Sequence, residues 1–136
     1  LKNNMKPFAV KFSKLASLLV LIVFFATGCS KDDNSSGGYP KNVTIEYKLT
    51  PSAGITVADV GYTNETNAVS TLFGQALPFT KQITRTVNKL DNAGLTVTAI
   101  GSGNIKMEIF VDGNLVKTET PSSTSVVQGT IAYVFQ

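Results

Sequence analysis

Apolar and polar residues alternate along residues 43–50, and this period of two limits the fold before any other feature is considered. Successive side chains of a β-strand point to opposite faces, so the alternation places apolar side chains on one face and polar side chains on the other. Such a strand packs one face against a core and leaves the other face in water. The apolar members are Val43, Ile45, Tyr47 and Leu49.

Short strands of this kind, separated by turn residues, are predicted along the rest of the chain. They cover residues 43–50, 55–63, 68–73, 79–87, 95–99, 105–111, 115–120 and 126–135. No stretch after Cys29 has a helical period. Seven or eight strands with turns about every ten residues predict an all-β antiparallel sandwich over residues 41–136.

Three of these segments carry more specific predictions. The apolar positions of the second change phase between Val57 and Val60, which predicts a β-bulge or a bend. Asp112-Gly113 follows the alternating segment 105–111 and predicts a tight type I′ hairpin turn. The last segment, residues 126–135, is apolar on both sides, which predicts a central or covered strand.

An apolar segment at residues 15–26 follows four lysines and ends shortly before the single cysteine of the chain. At about 12 residues it is shorter than the roughly 20 of a bilayer-spanning helix, which predicts a signal peptide. Ala26 and Gly28 stand three positions and one position before Cys29, as the small residues of a lipobox do. We therefore expect residues 1–28 to be a signal helix cleaved between Gly28 and Cys29, and lipid to be attached to the Cys29 thiol. The alternative is an ordinary signal peptide with an incidental cysteine.

Residues 29–40 are predicted to be the lipidated cysteine and a flexible tether, because residues 30–38 are small, polar and rich in glycine. Lys31, Asp32 and Asp33 resemble the export signal that follows the lipidated cysteine in surface-exposed lipoproteins of the Bacteroidetes. The resemblance implies a lipid-anchored protein of the outer membrane that faces the cell exterior. A solvated linker of the same composition is the alternative explanation of these three residues.

The charge of the mature chain is close to zero. Four of the twelve basic residues precede the apolar segment and leave with it, so eight remain against nine acidic residues. A nucleic-acid-binding protein needs clustered Lys and Arg to release counterions from phosphates, and this chain has no such cluster. The sequence therefore excludes nucleic acid as a partner.

The residues that commonly carry chemistry are scarce. The chain has no histidine, its one cysteine is assigned to lipid, and its acidic residues lie singly, without the spacing of metal ligands. We therefore predict no catalytic residue, no cofactor and no metal. Asp59 and Glu108 are the two carboxylates that could face a cleft, and a solvated strand face is the alternative for both.

Aromatic side chains could form a platform for a sugar or a lipid. Those near turns or out of phase with the apolar alternation are Tyr62, Phe73, Phe79 and Phe110. The alternative is that each covers one face of a central strand.

Residues 57–63, 77–81 and above all 95–113 (LTVTAIGSGNIKMEIFVDG) resemble the exported domain of MmpS-type membrane proteins. The resemblance implies an Ig-like β-sandwich and, because those proteins assist the MmpL lipid exporters of mycobacteria, another envelope protein or a transporter as partner. The family's domain carries a cysteine pair that bridges late strands. Met107 stands at the first of these positions, and the family's membrane helix is replaced here by a lipidation site.

Two functions fit these observations. One is a non-catalytic accessory or interaction module of the cell envelope, which predicts an exposed apolar patch or a free sheet edge. The other is a surface-displayed adhesin or glycan-binding module, which predicts protease accessibility on intact cells and retention on polysaccharides.

Overall fold

A computed structural model describes residues 38–136 as nine β-strands without a helix. The predicted signal peptide, Cys29 and most of the predicted tether lie outside the described residues. No helix long and apolar enough to cross a membrane is found in residues 38–136. The strands are β1 (Lys41–Pro51), β2 (Val57–Thr63), β3 (Val69–Ala76), β4 (Phe79–Val87), β5 (Asn92–Ile100), β6 (Gly103–Val111), β7 (Asn114–Glu119), β8 (Ser122–Ser123) and β9 (Val126–Val134).

The strands form two antiparallel sheets, which we call sheet 1 and sheet 2. Sheet 1 has the order β4-β1-β6-β7, with the short β8 paired to β6. Sheet 2 has the order β3-β2-β5-β9. The prediction of an all-β chain with antiparallel strands is confirmed for the described residues.

A single apolar core lies between the inner faces of the two sheets. All four apolar residues of the alternation in β1 are buried, as predicted, and the odd-numbered positions of β5 and β6 are buried in the same way. Each buried apolar side chain of this size contributes about 1.5–3 kcal/mol relative to exposure. The core members from β5 and β6 are Ala93, Leu95, Val97, Ala99, Ile105, Met107, Ile109 and Val111.

One of the two predicted local irregularities is found and the other is not. The register between β2 and β3 shifts between Ala58 and Val60, but the extra residue is in β3, where Phe73 and Gly74 oppose Asp59. Ala58, Val60 and Tyr62 are buried in one phase and Val57 points outward, so the prediction of a bulge in the second strand is wrong. Asp112 and Gly113 both have positive φ, 50° and 80°, as a type I′ turn requires. The Asp112 carboxylate also accepts a hydrogen bond of 2.8 Å from the Thr44 N–H, which ties the hairpin to β1.

The prediction for the last strand is wrong. β9 is the outermost strand of sheet 2 and pairs only with β5. Its odd-numbered side chains face the core, whereas Val126 and Val134 on the other face are exposed. The apolar residues on its outer face suggested a covered strand, but the sequence of one strand carries no information on whether a neighbour lies beside it.

The two ends of the sandwich differ in which chain segments they hold. At one end, which we call the base, the Tyr39 hydroxyl donates to the Gln136 carbonyl at 3.0 Å. Tyr39 falls within the predicted tether but packs against the core. At the opposite end, which we call the tip, the Gly101 N–H donates to the Ser125 carbonyl. Tyr39 and Gln136 thus lie together at the base.

Candidate functional site

The structure does not describe the predicted lipidation site. Gly28, Cys29, Lys31, Asp32 and Asp33 all lie outside the described residues. Their roles stay predictions, and the candidate site within residues 38–136 is a surface of the sandwich.

The two candidate carboxylates do not meet. Asp59 lies on β2 in sheet 2, and its Oδ1 accepts the Gly74 N–H at 2.8 Å. Glu108 lies on β6 in sheet 1 and pairs with Lys106 Nζ at 2.6 Å. Asp59 is exposed, as a solvated strand face requires, whereas Glu108 is only 9% exposed. Within residues 38–136 no three His, Cys, Asp or Glu side chains gather as metal ligands would.

The four candidate aromatic side chains form no common platform. Tyr62 and Phe79 are buried, as the alternative explanation of these residues predicts. Phe110 lies on the outer face of sheet 1, where Lys48 Nζ sits 4.7 Å from its ring centroid in a cation–π contact. Phe73 alone is strongly exposed, at 80%, on the edge strand β3 of sheet 2.

Charge is distributed very unequally between the two sheets. The four strands of sheet 2 contain a single charged residue, Asp59. The four long strands of sheet 1 contain nine charged residues: Lys41, Glu46, Lys48, Lys81, Arg85, Lys106, Glu108, Lys117 and Glu119. The outer face of sheet 2 is therefore almost free of charge, whereas that of sheet 1 carries ion pairs.

Exposed apolar side chains are also concentrated on sheet 2. Six of the eight large apolar residues that are exposed belong to its strands. Ile100, at 88% exposure, is directly opposite Val126 of β9. Asp59 of β2 is opposite Thr98 of β5. Because the two strands are antiparallel, Val57 of β2 is opposite Ile100 of β5. Val57, Ile100 and Val126 therefore form a row across three strands at the tip, which we call the apolar row.

The centre of the same face is shallow and lined by hydroxyl and amide groups. Its depressions are lined in part by Thr96, Thr98, Gln128 and Thr130. Gly61 lies beside this centre, and a Cβ there would collide with the Thr96 hydroxyl, so the glycine keeps the surface flat. The outer face of sheet 2 thus combines an apolar row at the tip with neutral hydrogen-bonding groups at its centre.

Arg85 forms a polar contact between the sheets near the base, which the strand pattern does not anticipate. It sits between Ile83 and Val87 on the inner face of β4 and is only 4% exposed. Its guanidinium donates to Asn67 Oδ1 in the turn after β2 and to the Asn92 carbonyl of β5. No carboxylate of residues 38–136 pairs with it. The sequence does contain a sign of this contact: Arg85 is a basic residue at a position where the alternation of β4 expects an apolar one, between Ile83 and Val87.

Tyr47 lies on β1 on the same inner face and also reaches across to sheet 2. Its hydroxyl donates to the Thr63 carbonyl at 2.8 Å, and the side chain is fully buried. Burial disfavours the phenolate and raises the pKa of Tyr47 to about 12, although the Arg85 charge lowers it. Tyr47 and Arg85 thus stabilise the contact between the sheets and are not available to a ligand.

Raising the pH from 9 to 12 is expected to lower the free energy of unfolding by roughly 2 kcal/mol through Tyr47. Its pKa in the folded protein, about 12, lies above its ordinary value of 10, so the contribution is complete below pH 10 and is lost as the pH rises through 12. Urea unfolding of the native protein and of Tyr47→Phe at pH 9 and at pH 12 measures this. The variant should lose less stability over that interval, and an equal loss in both proteins would contradict the assignment.

A scan against protein families and a search of curated proteins both find no match for this chain.

Proposed function

We propose that this protein is a non-catalytic, lipid-anchored module of the cell envelope that docks onto another envelope protein through the outer face of sheet 2. In this proposal Cys29 becomes the first residue and carries the acyl chains. Lys31, Asp32 and Asp33 then direct the protein to the exterior of the outer membrane. Two or three acyl chains on one residue give durable binding, whereas a single chain binds reversibly.

The observation that carries the docking proposal is the separation of charge and apolar exposure between the sheets. An exposed apolar cluster on an otherwise polar protein marks an interaction surface, and desolvating such a surface is cheapest where no charge lies nearby. The apolar row has only Asp59 as a charged neighbour among the strands of sheet 2. A partner that presents an uncharged apolar surface fits this face, whereas an acidic or basic partner does not.

The resemblance to MmpS-type domains supports docking onto another envelope protein. It also supports describing the two-sheet fold as Ig-like. Two antiparallel sheets around one core are what such a domain requires. Met107 of β6, at the position expected for the first bridging cysteine, lies against Gly129 of the late strand β9. Packing of Met107 on Gly129 thus joins two late strands without a covalent bond. An exporter or another membrane-embedded envelope protein is the partner class that follows.

The proposal is tested in cells that naturally make the protein, with a photo-crosslinking residue placed at position 100. We expect the recovered chain to begin at an acylated Cys29 by intact mass and to crosslink to one envelope protein. Ile100→Lys, with the crosslinking residue moved to position 57, should lower that yield at least about fivefold, because a charge must then be desolvated at the interface.

Thr84→Lys is the matched control, since Thr84 is exposed on β4 of sheet 1. The same charge on that sheet should leave the crosslink unchanged. Recovery of the uncrosslinked protein alone, or an equal loss in both lysine variants, would count against docking. An unmodified thiol at Cys29 would count against the anchor and would leave the docking result interpretable.

A glycan-binding module is the second candidate, and the neutral hydroxyl and amide groups at the centre of sheet 2 favour it. Such groups hydrogen-bond polyols without attracting ions, and Phe73 offers one exposed ring on the edge strand β3 of the same sheet. Retention of the protein on a polysaccharide array, weakened by Thr98→Val and Gln128→Ala but not by Ile100→Lys, would select this function over protein docking.

A further inference from the structure

Of the four edge strands of the two sheets, three carry features that block pairing with another chain. β3 has Gly74 at φ 60° beside a register shift, which bends the strand. β4 has Lys81 and Arg85 on its inner face, and β7 has Lys117 and Glu119 beside a register shift in β6. Charges, bulges and bends of this kind are how proteins prevent edge-to-edge association.

β9 has none of these features. Its sequence, VVQGTIAYV, contains no charged residue and no proline, and its register with β5 runs without a shift from Asn92–Val134 to Ile100–Val126. A long, flat, uncharged edge strand is a template for another strand.

The hydrogen bonds at the two ends of β9 show which of its backbone groups are free. The Gly101 N–H donates to the Ser125 carbonyl, and the Phe135 N–H donates to the Asp91 carbonyl. In an antiparallel pair, residues that hydrogen-bond to the neighbouring strand alternate with residues that do not. The backbone N–H and C=O groups of the odd-numbered residues of β9 therefore bond to β5, and those of the even-numbered residues point away from β5. One hydrogen bond reaches this edge from within residues 38–136: Ser123 Oγ accepts the Val126 N–H at 3.3 Å.

The even-numbered residues also make β9 complementary to itself. Thr130 is the middle residue of β9. Gln128 and Ala132 lie two residues on either side of it, and Val126 and Val134 lie four residues on either side. All five side chains are on the exposed outer face. In an antiparallel pair centred on Thr130, Val126 of each copy meets Val134 of the other, and every free N–H and C=O faces a counterpart.

We propose that β9 pairs antiparallel with β9 of a second copy of this chain, about a two-fold axis at Thr130. The two copies of sheet 2 then form one continuous eight-stranded sheet. A second copy fits for two reasons. The identical strands are uncharged, so no like charges come together. The exposed Val126 and Val134 of each copy also pack against Val134 and Val126 of the other. An isologous contact of this kind closes on itself, so it gives a dimer and not a fibre. Val126 belongs to both this contact and the apolar row, but the inference rests on the edge of β9 and does not need the proposed docking function.

The purified, acylated full chain in detergent should sediment as a dimer at about 100 μM. Thr130→Lys places two like charges opposite each other at the axis and should raise the dissociation constant at least about tenfold. Thr84→Lys, which puts the same charge on sheet 1, should leave it unchanged. Both variants should fold, because Thr84 and Thr130 are exposed, and circular dichroism is the control for this. A monomeric native chain at this concentration would overturn the proposal.

Cysteine substitution tests the register even if Thr130→Lys fails to fold. Under mild oxidation of membranes, Thr130→Cys should form a covalent dimer, because residue 130 faces itself across the axis at about 5.5 Å between Cα atoms. Gln128→Cys, whose counterpart is Ala132, is the control and should crosslink at least about fivefold less. Equal crosslinking of both variants would overturn the proposed pairing. Crosslinking of Thr130→Cys to a different protein would replace the second copy with a strand from that partner.

Discussion

Replacing Arg85 with alanine is expected to lower the free energy of unfolding by about 3 kcal/mol. The substitution removes two part-buried hydrogen bonds that join β4 to sheet 2, one to Asn67 and one to the Asn92 carbonyl. Each lost hydrogen bond from a charged group costs about 1.5–3 kcal/mol at most, and the cavity left by the truncated Arg85 side chain, which is only 4% exposed, adds to this. Urea unfolding measures the change, which corresponds to a fall in Tm of roughly 12–24 °C for a domain of this size.

Two further substitutions at position 85 separate charge from packing. Arg85→Met keeps most of the volume and removes a buried charge that has no carboxylate partner within the described residues, so it should cost less than alanine. Arg85→Lys keeps the charge but cannot reach both acceptors with one ammonium group, so it should cost at least as much as methionine. Thr84→Ala, on the outer face of the same strand, should change stability by less than about 0.5 kcal/mol. An alanine variant as stable as the native protein would show that the contact is not structural.

Replacing Gly129 with valine is expected to lower the free energy of unfolding by about 3 kcal/mol. A Cβ at this position would lie 2.6 Å from Met107 Sδ and 2.6 Å from Pro121 Cγ. The thioether can move, but the proline ring cannot, so the strand must shift and the core becomes overpacked. The better strand propensity of valine offsets about 1 kcal/mol at most. Chemical denaturation of the variant measures the loss.

A double-mutant cycle with Met107→Ala tests the cause of that loss. The single alanine variant should lose about 2–5 kcal/mol because it creates a cavity. If valine at position 129 fills the same space, the double variant should be more stable than the sum of the two single losses predicts, by at least about 1 kcal/mol. Strict additivity would mean that Pro121 alone causes the overpacking.

The alternation of side chains allowed most strands and most of the core to be predicted. A strand's two faces are set by residues that are neighbours in sequence, so the inward positions of β1, β5 and β6 could be read without knowing what they pack against. The turn at Asp112-Gly113 is equally local. The prediction of lipidation at Cys29 is likewise local, because it rests on the small residues that precede the cysteine in the sequence.

The candidate site depended on relations that no single strand contains. β2 and β3 follow one another in the sequence, but β5 and β9 come later, and only strand pairing collects all four into sheet 2 and sets the apolar row on one face. Strand order also determines the edge position of β9 and brings Arg85 to Asn67 and Asn92. The amino-acid pattern by itself determined which sides of β1, β5 and β6 turn inward, because that follows from backbone geometry. Tertiary structure alone decided which strands are neighbours, because strand order is selected by long-range packing of the whole core.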